Sequence, residues 1–310
     1  MILCIGPTPA AQRVMTFKAL KPDAVNRAAS TLDGAAGKSV NVAKVLAALG
    51  AEVLATGFVG GDRGREILRD MTSRGIETKF VEVPAPTRQC ISVIDEATHT
   101  VTELVEESWP VPPENYDALV ELVCGLLPEC EAVVMSGSLT PGAPVEFYRN
   151  ITNRANELGK LSVVDAQGTP LLEALKASPG LVKPNRSELA ATVNKPLETE
   201  MSLVEAMREV RKRGAQRVVV TAGGALTFAM DQHSLWRIQP AQIEPVNPIG
   251  SGDAFTAALV WRLTQADSLG EACRWAAAAG AANALSPMPG DLEKAQVLQL
   301  LEKVRVEQVK

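Results

Sequence analysis

The sequence is short of the features that usually announce a location or a polymeric partner. It has no basic excess: 31 Lys and Arg stand against 36 Asp and Glu, a formal charge of −5. That balance argues against a nucleic-acid binder, which normally carries a basic stripe or patch. No run of five like charges occurs, so no segment reads as a tail for a polyanion or a membrane surface. No stretch approaches the ~18 uninterrupted apolar residues of a membrane span. The opening MILCIGPTPA has an apolar run of five with no basic region before it, and it reads as a first core strand rather than a signal peptide. The five cysteines (Cys4, Cys90, Cys124, Cys130, Cys273) are scattered, without the spacing of a zinc site. Buried thiols in a cytoplasmic protein are the expectation. Repeats, linkers and low-complexity segments are also missing.

What is present is a regular alternation. With 46% apolar residues in 310, the chain can bury a full core. SVNVAKVLAALG (39–50) spaces its apolar residues by three and four and stops at Gly50, which predicts a helix. EVLATGFVG (52–60) predicts a strand, and REILRDMTSRG (65–75) a helix. Four more strands are expected at 132–138, 161–166, 181–185 and 217–224, separated by helical runs. Such alternation predicts an α/β fold, a doubly wound, mostly parallel sheet flanked by helices. Period-two stretches within about 11–34 and 87–106, of which CISVIDEATHTVTELV is the clearest, predict a small antiparallel β lid. From residue 250 onward the pattern is read as helical to the end. One domain over 1–310 with a lid is the expected organisation.

Ligands of a doubly wound sheet bind where loops leave the carboxyl ends of the strands. The polar motifs SGS, DAQG, KPN, TAGG and GSGD fall at those places. Asn247-Pro248-Ile249-Gly250-Ser251-Gly252-Asp253 opens into the apolar run AFTAALVWRL. Two glycines allow a tight turn that converges backbone N–H groups on the positive end of a helix dipole, an anion hole for a phosphoryl group in transfer. Asp253 at its mouth could take a proton from an attacking hydroxyl. Taken alone, the segment reads more readily as a turn whose Asp caps a helix. Gly37-Lys38-Ser39-Val40-Asn41 ends like a Walker A loop but has Leu32 where that motif needs glycine, so a P-loop is rejected. It remains either an ordinary helix start or a loop for a small polar ligand. Lys183-Pro184-Asn185-Arg186-Ser187-Glu188 fits a capping box. Its functional reading puts Asn185 and Glu188 beside Mg²⁺ and its waters, with Lys183 near nucleotide phosphates.

In this order the motifs resemble the ribokinase-like, or PfkB, carbohydrate kinases, within them the branch of 1-phosphofructokinase, tagatose-6-phosphate kinase and the minor 6-phosphofructokinase. The match runs through AAGKSVNVAKVLAALGAEVLATGFVGGDRGREI, Asn185 to Glu188, and NPIGSGDAFTAAL, with Thr87-Arg88-Gln89-Cys90, SGSLTPG and VKPN typical of the branch. The resemblance implies a sugar kinase using ATP and Mg²⁺, with a phosphorylated ketohexose (fructose 1-phosphate or tagatose 6-phosphate) as acceptor. It implies Asp253 as base, and Gly250, Ser251 and Gly252 as anion hole. Gly37, Lys38, Asn41 and Ser138 would line the sugar, while Arg88, with Lys38 and Arg27, would hold the acceptor's phosphate. Lys183, Asn185, Thr221 and Gly223 would meet the nucleotide, and Glu188 would organise the metal through water. A homodimer formed through the lid is implied as well. The readings carried beside it are a kinase of an unphosphorylated sugar or sugar acid, and a non-catalytic sugar- or nucleotide-binding protein. Three positions depart from the family pattern. Gln12 stands where an Asp is usual, Ala36-Gly37-Lys38-Ser39 has lost two glycines, and TAGGALTF lacks one near Leu226.

Overall fold

The computed structural model describes residues 1–309. The chain begins with β1 (Ile2–Gly6), whose five residues are all buried, as a central strand covered on both faces requires. Two excursions follow, β2 (Ala10–Phe17) and β3 (Ser30–Ala36), before α1 (Lys38–Leu49), β4 (Val53–Val59) and α2 (Gly61–Ser73). The short β5 (Glu77–Thr78) and β6 (Val81–Glu82) lead into β7 (Arg88–Asp95) and β8 (Thr100–Val105). Strand–helix alternation then resumes with α3 (Pro113–Leu126), β9 (Ala132–Ser136), α4 (Phe147–Glu157), β10 (Leu161–Asp165), α5 (Gly168–Leu175) and β11 (Leu181–Val182). After α6 (Arg186–Val193) and α7 (Glu200–Lys212) come β12 (Val218–Val220), β13 (Thr227–Met230) and β14 (Leu235–Gln239). The chain closes with α8 (Ser251–Thr264), α9 (Leu269–Ala284), α10 (Lys294–Leu301) and β15 (Arg305–Val309).

Eleven strands form the large sheet, in the order β15-β14-β13-β12-β11-β10-β9-β1-β4-β5 with β6 also on β4. From β12 to β5 the pairings are parallel, as the alternation predicts; β12 through β15 pair antiparallel. Apolar residues cover both faces. One layer packs α1, α8 and α9 on the sheet, and the other packs α3 to α7. β2, β3, β7 and β8 form the separate four-stranded lid, in the order β3-β2-β7-β8. Its outer pairs are antiparallel and its central pair, β2 with β7, is parallel.

Two expectations need correction. The C-terminal run LEKAQVLQLLEKVRV is not one helix: α10 stops at Leu301, and Arg305–Val309 joins the sheet edge beside β14. The β-branched Val304, Val306 and Val309 favour the strand once a sheet edge is within reach. The strand expected at 181–185 is also cut to Leu181–Val182. Pro184 cannot donate to a ladder, and Asn185 is already committed to capping α6.

Candidate active site

At the carboxyl ends of the parallel strands, under the lid, lies a cavity of about 330 Å³. Its walls come from the lid (Gln12, Arg88, Glu103), the start of α1 (Lys38, Asn41) and the start of α8 (Asp253). A second cavity of about 390 Å³ shares Asn185, Thr221 and Gly252 with the first, so the two form one cleft. The second is mostly apolar, with Ile243, Phe255, Ala277 and Ala281 on its walls.

Glycine backbone shapes two turns in the wall of the first cavity. Gly37 adopts φ +102°, and a Cβ there would stand 2.8 Å from Pro9 Cα. Gly250 adopts φ +81°, with a Cβ 2.9 Å from that of Pro289. Neither position tolerates a side chain, and each turn delivers the chain into a helix whose N-terminus points at the cleft. Thus Gly37, the glycine kept in the Ala36–Ser39 loop, and Gly250 stand where the backbone requires them.

The charged groups form one connected set. Asp253 is buried, and Asn41 Nδ2 donates to its Oδ2 at 2.8 Å. Burial, reinforced by the nearby Asp165, pushes the Asp253 carboxyl up to about 7 against the pull of Lys38 and Asn41. Asp165 is buried too and is pushed up by that burial, yet Lys183 and Lys38 with the Thr256 hydroxyl bring it down to about 2. Lys183 Nζ lies 3.1 Å from Asp165 Oδ2, and Lys38 Nζ lies 3.3 Å from Oδ1 and 3.1 Å from Glu188 Oε1. Asp165 raises the Lys38 ammonium most, with Glu188 and Asp253 adding to it against burial. Glu188 also accepts the Asn185 N–H at 2.8 Å, completing the capping box of α6. Two carboxylates that differ this widely in acidity, one paired with two lysines and the other bonded only to Asn41, can hold one negative charge fixed and leave another free to take a proton.

Most of the residues expected from sequence meet here. Gly37, Lys38, Asn41, Arg88, Lys183, Asn185, Glu188, Thr221, Gly250, Gly252 and Asp253 line the first cavity. Ser251 and Gly223 line the second. Lys38 does not stand with Arg88; its ammonium is held on the Asp165–Glu188 side. Ser138 is exposed, offers its carbonyl to Thr8 and is absent from both walls. Arg27 is exposed in the β2–β3 connection and lies outside the cleft. Gln12 is buried in the cavity wall, where Nε2 donates to Ser92 Oγ at 2.9 Å. Sequence reasoning found DAQG as a strand-end loop but gave Asp165 no role, although its place at the end of β10 was the available signal. It missed Glu103 and Cys90, because a lid strand shows its pocket-facing residues only once its register is known.

The arrangement is one of positive groups and helix termini around a buried carboxylate, parts that phosphoryl transfer to a hydroxyl can use. The chain belongs to the pfkB family of carbohydrate kinases, whose family model matches residues 1–295. Kinases of this type use ATP, generally with Mg²⁺. Among solved structures it is similar to Escherichia coli phosphofructokinase-2 in complex with substrates and products, at 27% identity over 97% of both chains with a TM-score of 0.88. A Thermotoga maritima protein provisionally assigned as 1-phosphofructokinase shares the fold at a TM-score of 0.92, with 24% identity over the whole of both chains. Arabidopsis thaliana ribokinase complexed with ribose and ATP shares it at a TM-score of 0.75, with 19% identity over 97% of this chain and 98% of that one. No helix is long and apolar enough to cross a membrane among the described residues.

Proposed function

We propose that this sugar kinase transfers the γ-phosphoryl group of ATP to a hydroxyl of a phosphorylated ketohexose, of the fructose 1-phosphate or tagatose 6-phosphate kind. The observation carrying the reading is the Arg88 Nε, buried and without a hydrogen-bond partner in the wall of the polar cavity. A buried unpaired guanidinium nitrogen is costly unless a ligand oxygen completes it, and the planar fork suits a phosphate. The acceptor would lie between Arg88 and Asp253, touching Gly37 and Asn41, whose buried Oδ1 also lacks a partner.

In this reading Asp253 takes the proton of the acceptor hydroxyl as its oxygen bonds to the γ-phosphorus. The bond from that phosphorus to the β–γ bridging oxygen breaks, and ADP leaves. Gly250, Ser251 and Gly252 present the positive end of α8 to the transferred group, with Lys183 Nζ 3.9 Å from where a Gly252 Cβ would be. The adenosine would occupy the apolar cavity beside Thr221 and Gly223. Mg²⁺ would arrive on the triphosphate. The carboxylates of Glu188 and Asp165 are already engaged by lysines, and the described residues contain no cluster of three metal-ligating side chains. The fit is therefore to a metal carried by phosphate oxygens, with Glu188 reached through water.

The deciding experiment is an ADP-release screen with MgATP over fructose 1-phosphate, tagatose 6-phosphate and free sugars. Turnover confined to free sugars would reject the acceptor; ADP release with none would reject the kinase reading. We further propose a homodimer through the lid, supported by Leu32, Leu104 and Val105 exposed on its edge strands. Light scattering that returned a monomer at micromolar concentration would reject it.

A further inference from the structure

The lid wall of the polar cavity holds two groups of opposite charge that have not satisfied each other. Arg88 gives Nη2 to Thr8 O at 3.1 Å and Nη1 to Glu106 O at 3.4 Å, while its Nε has no partner. Glu103 lines the same cavity, and among the described residues its carboxylate has neither a hydrogen bond nor an ion pair. The other carboxylates of the wall are occupied: Asp165 and Glu188 by lysines, Asp253 by Asn41.

Register explains why Arg88 and Glu103 stay apart. Glu103 on β8 is opposite Ser92 on β7, four residues from Arg88 along that strand. At ~3.3 Å per residue the two backbone positions are about 13 Å apart. Cys90, paired with Gln12 on one side and Val105 on the other, lies between them, and all three line the cavity. Gln12 cannot serve as a carboxylate would, since its amide nitrogen is committed to Ser92 and it carries no charge. Glu103 is exposed at the rim, yet burial of its carboxyl pushes it above its ordinary value while Arg88 pulls it down, as for a group partly closed off from water.

We infer that Glu103 is a specificity-determining substrate contact, its carboxylate accepting hydrogen bonds from hydroxyls of the acceptor sugar while Arg88 holds an anionic group at the other end. A carboxylate is acceptor-only and can take two bonds, which suits neighbouring hydroxyls. The ligand class is a polyhydroxylated sugar chain with its anion at one end and free hydroxyl donors several ångströms away. This inference rests on the acceptor reading above.

Steady-state kinetics with fructose 1-phosphate, tagatose 6-phosphate and fructose test it in wild type, E103Q, Q12D and the double variant. E103Q should raise KM for the acceptor about tenfold or more, with KM for ATP within about twofold. Adding Gln12→Asp should recover part of the loss, because a carboxylate returns to the same wall from β2, on the far side of β7. Glu103 is exposed and unpaired, so the E103Q thermal melt should coincide with that of wild type. An acceptor KM unchanged in E103Q overturns the inference, as does a rise in both KM values together. Turnover of none of the three sugars by wild type overturns the acceptor reading itself, which separates the two failures.

Discussion

Asn41 and Asp253, 212 positions apart in the chain, meet at 2.8 Å where the first turns of α1 and α8 converge. One amide thus holds the orientation of a carboxylate that burial raises to about 7, while its own Oδ1 stays open for a ligand. From this contact, and from the groups around it, four outcomes are expected.

Asp253→Asn keeps size and the polar contact but removes the base. Turnover should fall roughly 10²–10⁴-fold while ATP affinity is nearly unchanged. Turnover within about threefold of wild type would make Asp253 a helix cap and nothing more.

With Asp253 at about 7, kcat/KM should rise with pH through neutrality as the carboxylate forms. The Asn41 hydrogen bond lowers that value, so Asn41→Ala should move the limb to higher pH besides weakening acceptor binding. Stability should run the opposite way. The folded state keeps a proton on Asp253 that the unfolded chain has released between pH ~4 and 7, so this group's contribution falls as pH rises through that window. Asp253→Asn should therefore gain stability over wild type at pH 8 but not at pH 4, by on the order of 1–4 kcal/mol. Denaturant melts at the two pH values decide it, and equal differences at both would contradict the raised carboxyl.

Arg88→Ala should raise KM for a sugar phosphate by ~2–3 kcal/mol of lost charge-assisted bonding and leave KM for ATP unchanged. Arg88→Lys should fall between, since it keeps the charge and loses the fork. Undiminished efficiency of Arg88→Ala on the best substrate would point to an unphosphorylated acceptor.

Lys44, on α1 one turn beyond Asn41, is fully buried and acts at a distance from the chemistry. Its Nζ donates to Pro289 O at 2.7 Å and Ala35 O at 3.3 Å and pairs with Asp291 at 2.8 Å. These bonds tie the end of lid strand β3 to the turn packed against Gly250. Lys44→Met should destabilise the fold by about 2–4 kcal/mol, because two buried carbonyls lose their donor and Asp291 is left with Arg74 alone. Adding Asp291→Asn should recover part of that in urea melts; a further additive loss would show that the pair is not coupled.

The alternating architecture is legible in the chain's local pattern, since continuous apolar runs between amphipathic helices pack stably only as a parallel sheet covered on both faces. The sequence also located the glycine turns at Gly37 and Gly250, the capping box at Asn185 and the carboxylate of Asp253 beside the second turn, because each is a local pattern at a helix start. What those turns face is set by long-range packing. Asp165 became the anchor of Lys183 because β10 and β11 lie side by side, and of Lys38 because the start of α1 reaches the same strand end, neighbourhoods absent from any local window. The same holds for the final strand, whose residues read as helix until β14 offers them an unpaired edge. Glu103 and Gln12 entered the cavity wall through strand register, where a shift of one residue would have turned both to the other face of the lid. Local preference fixes elements over a few residues, whereas a site assembled from loops hundreds of positions apart is fixed by the packing that brings them together.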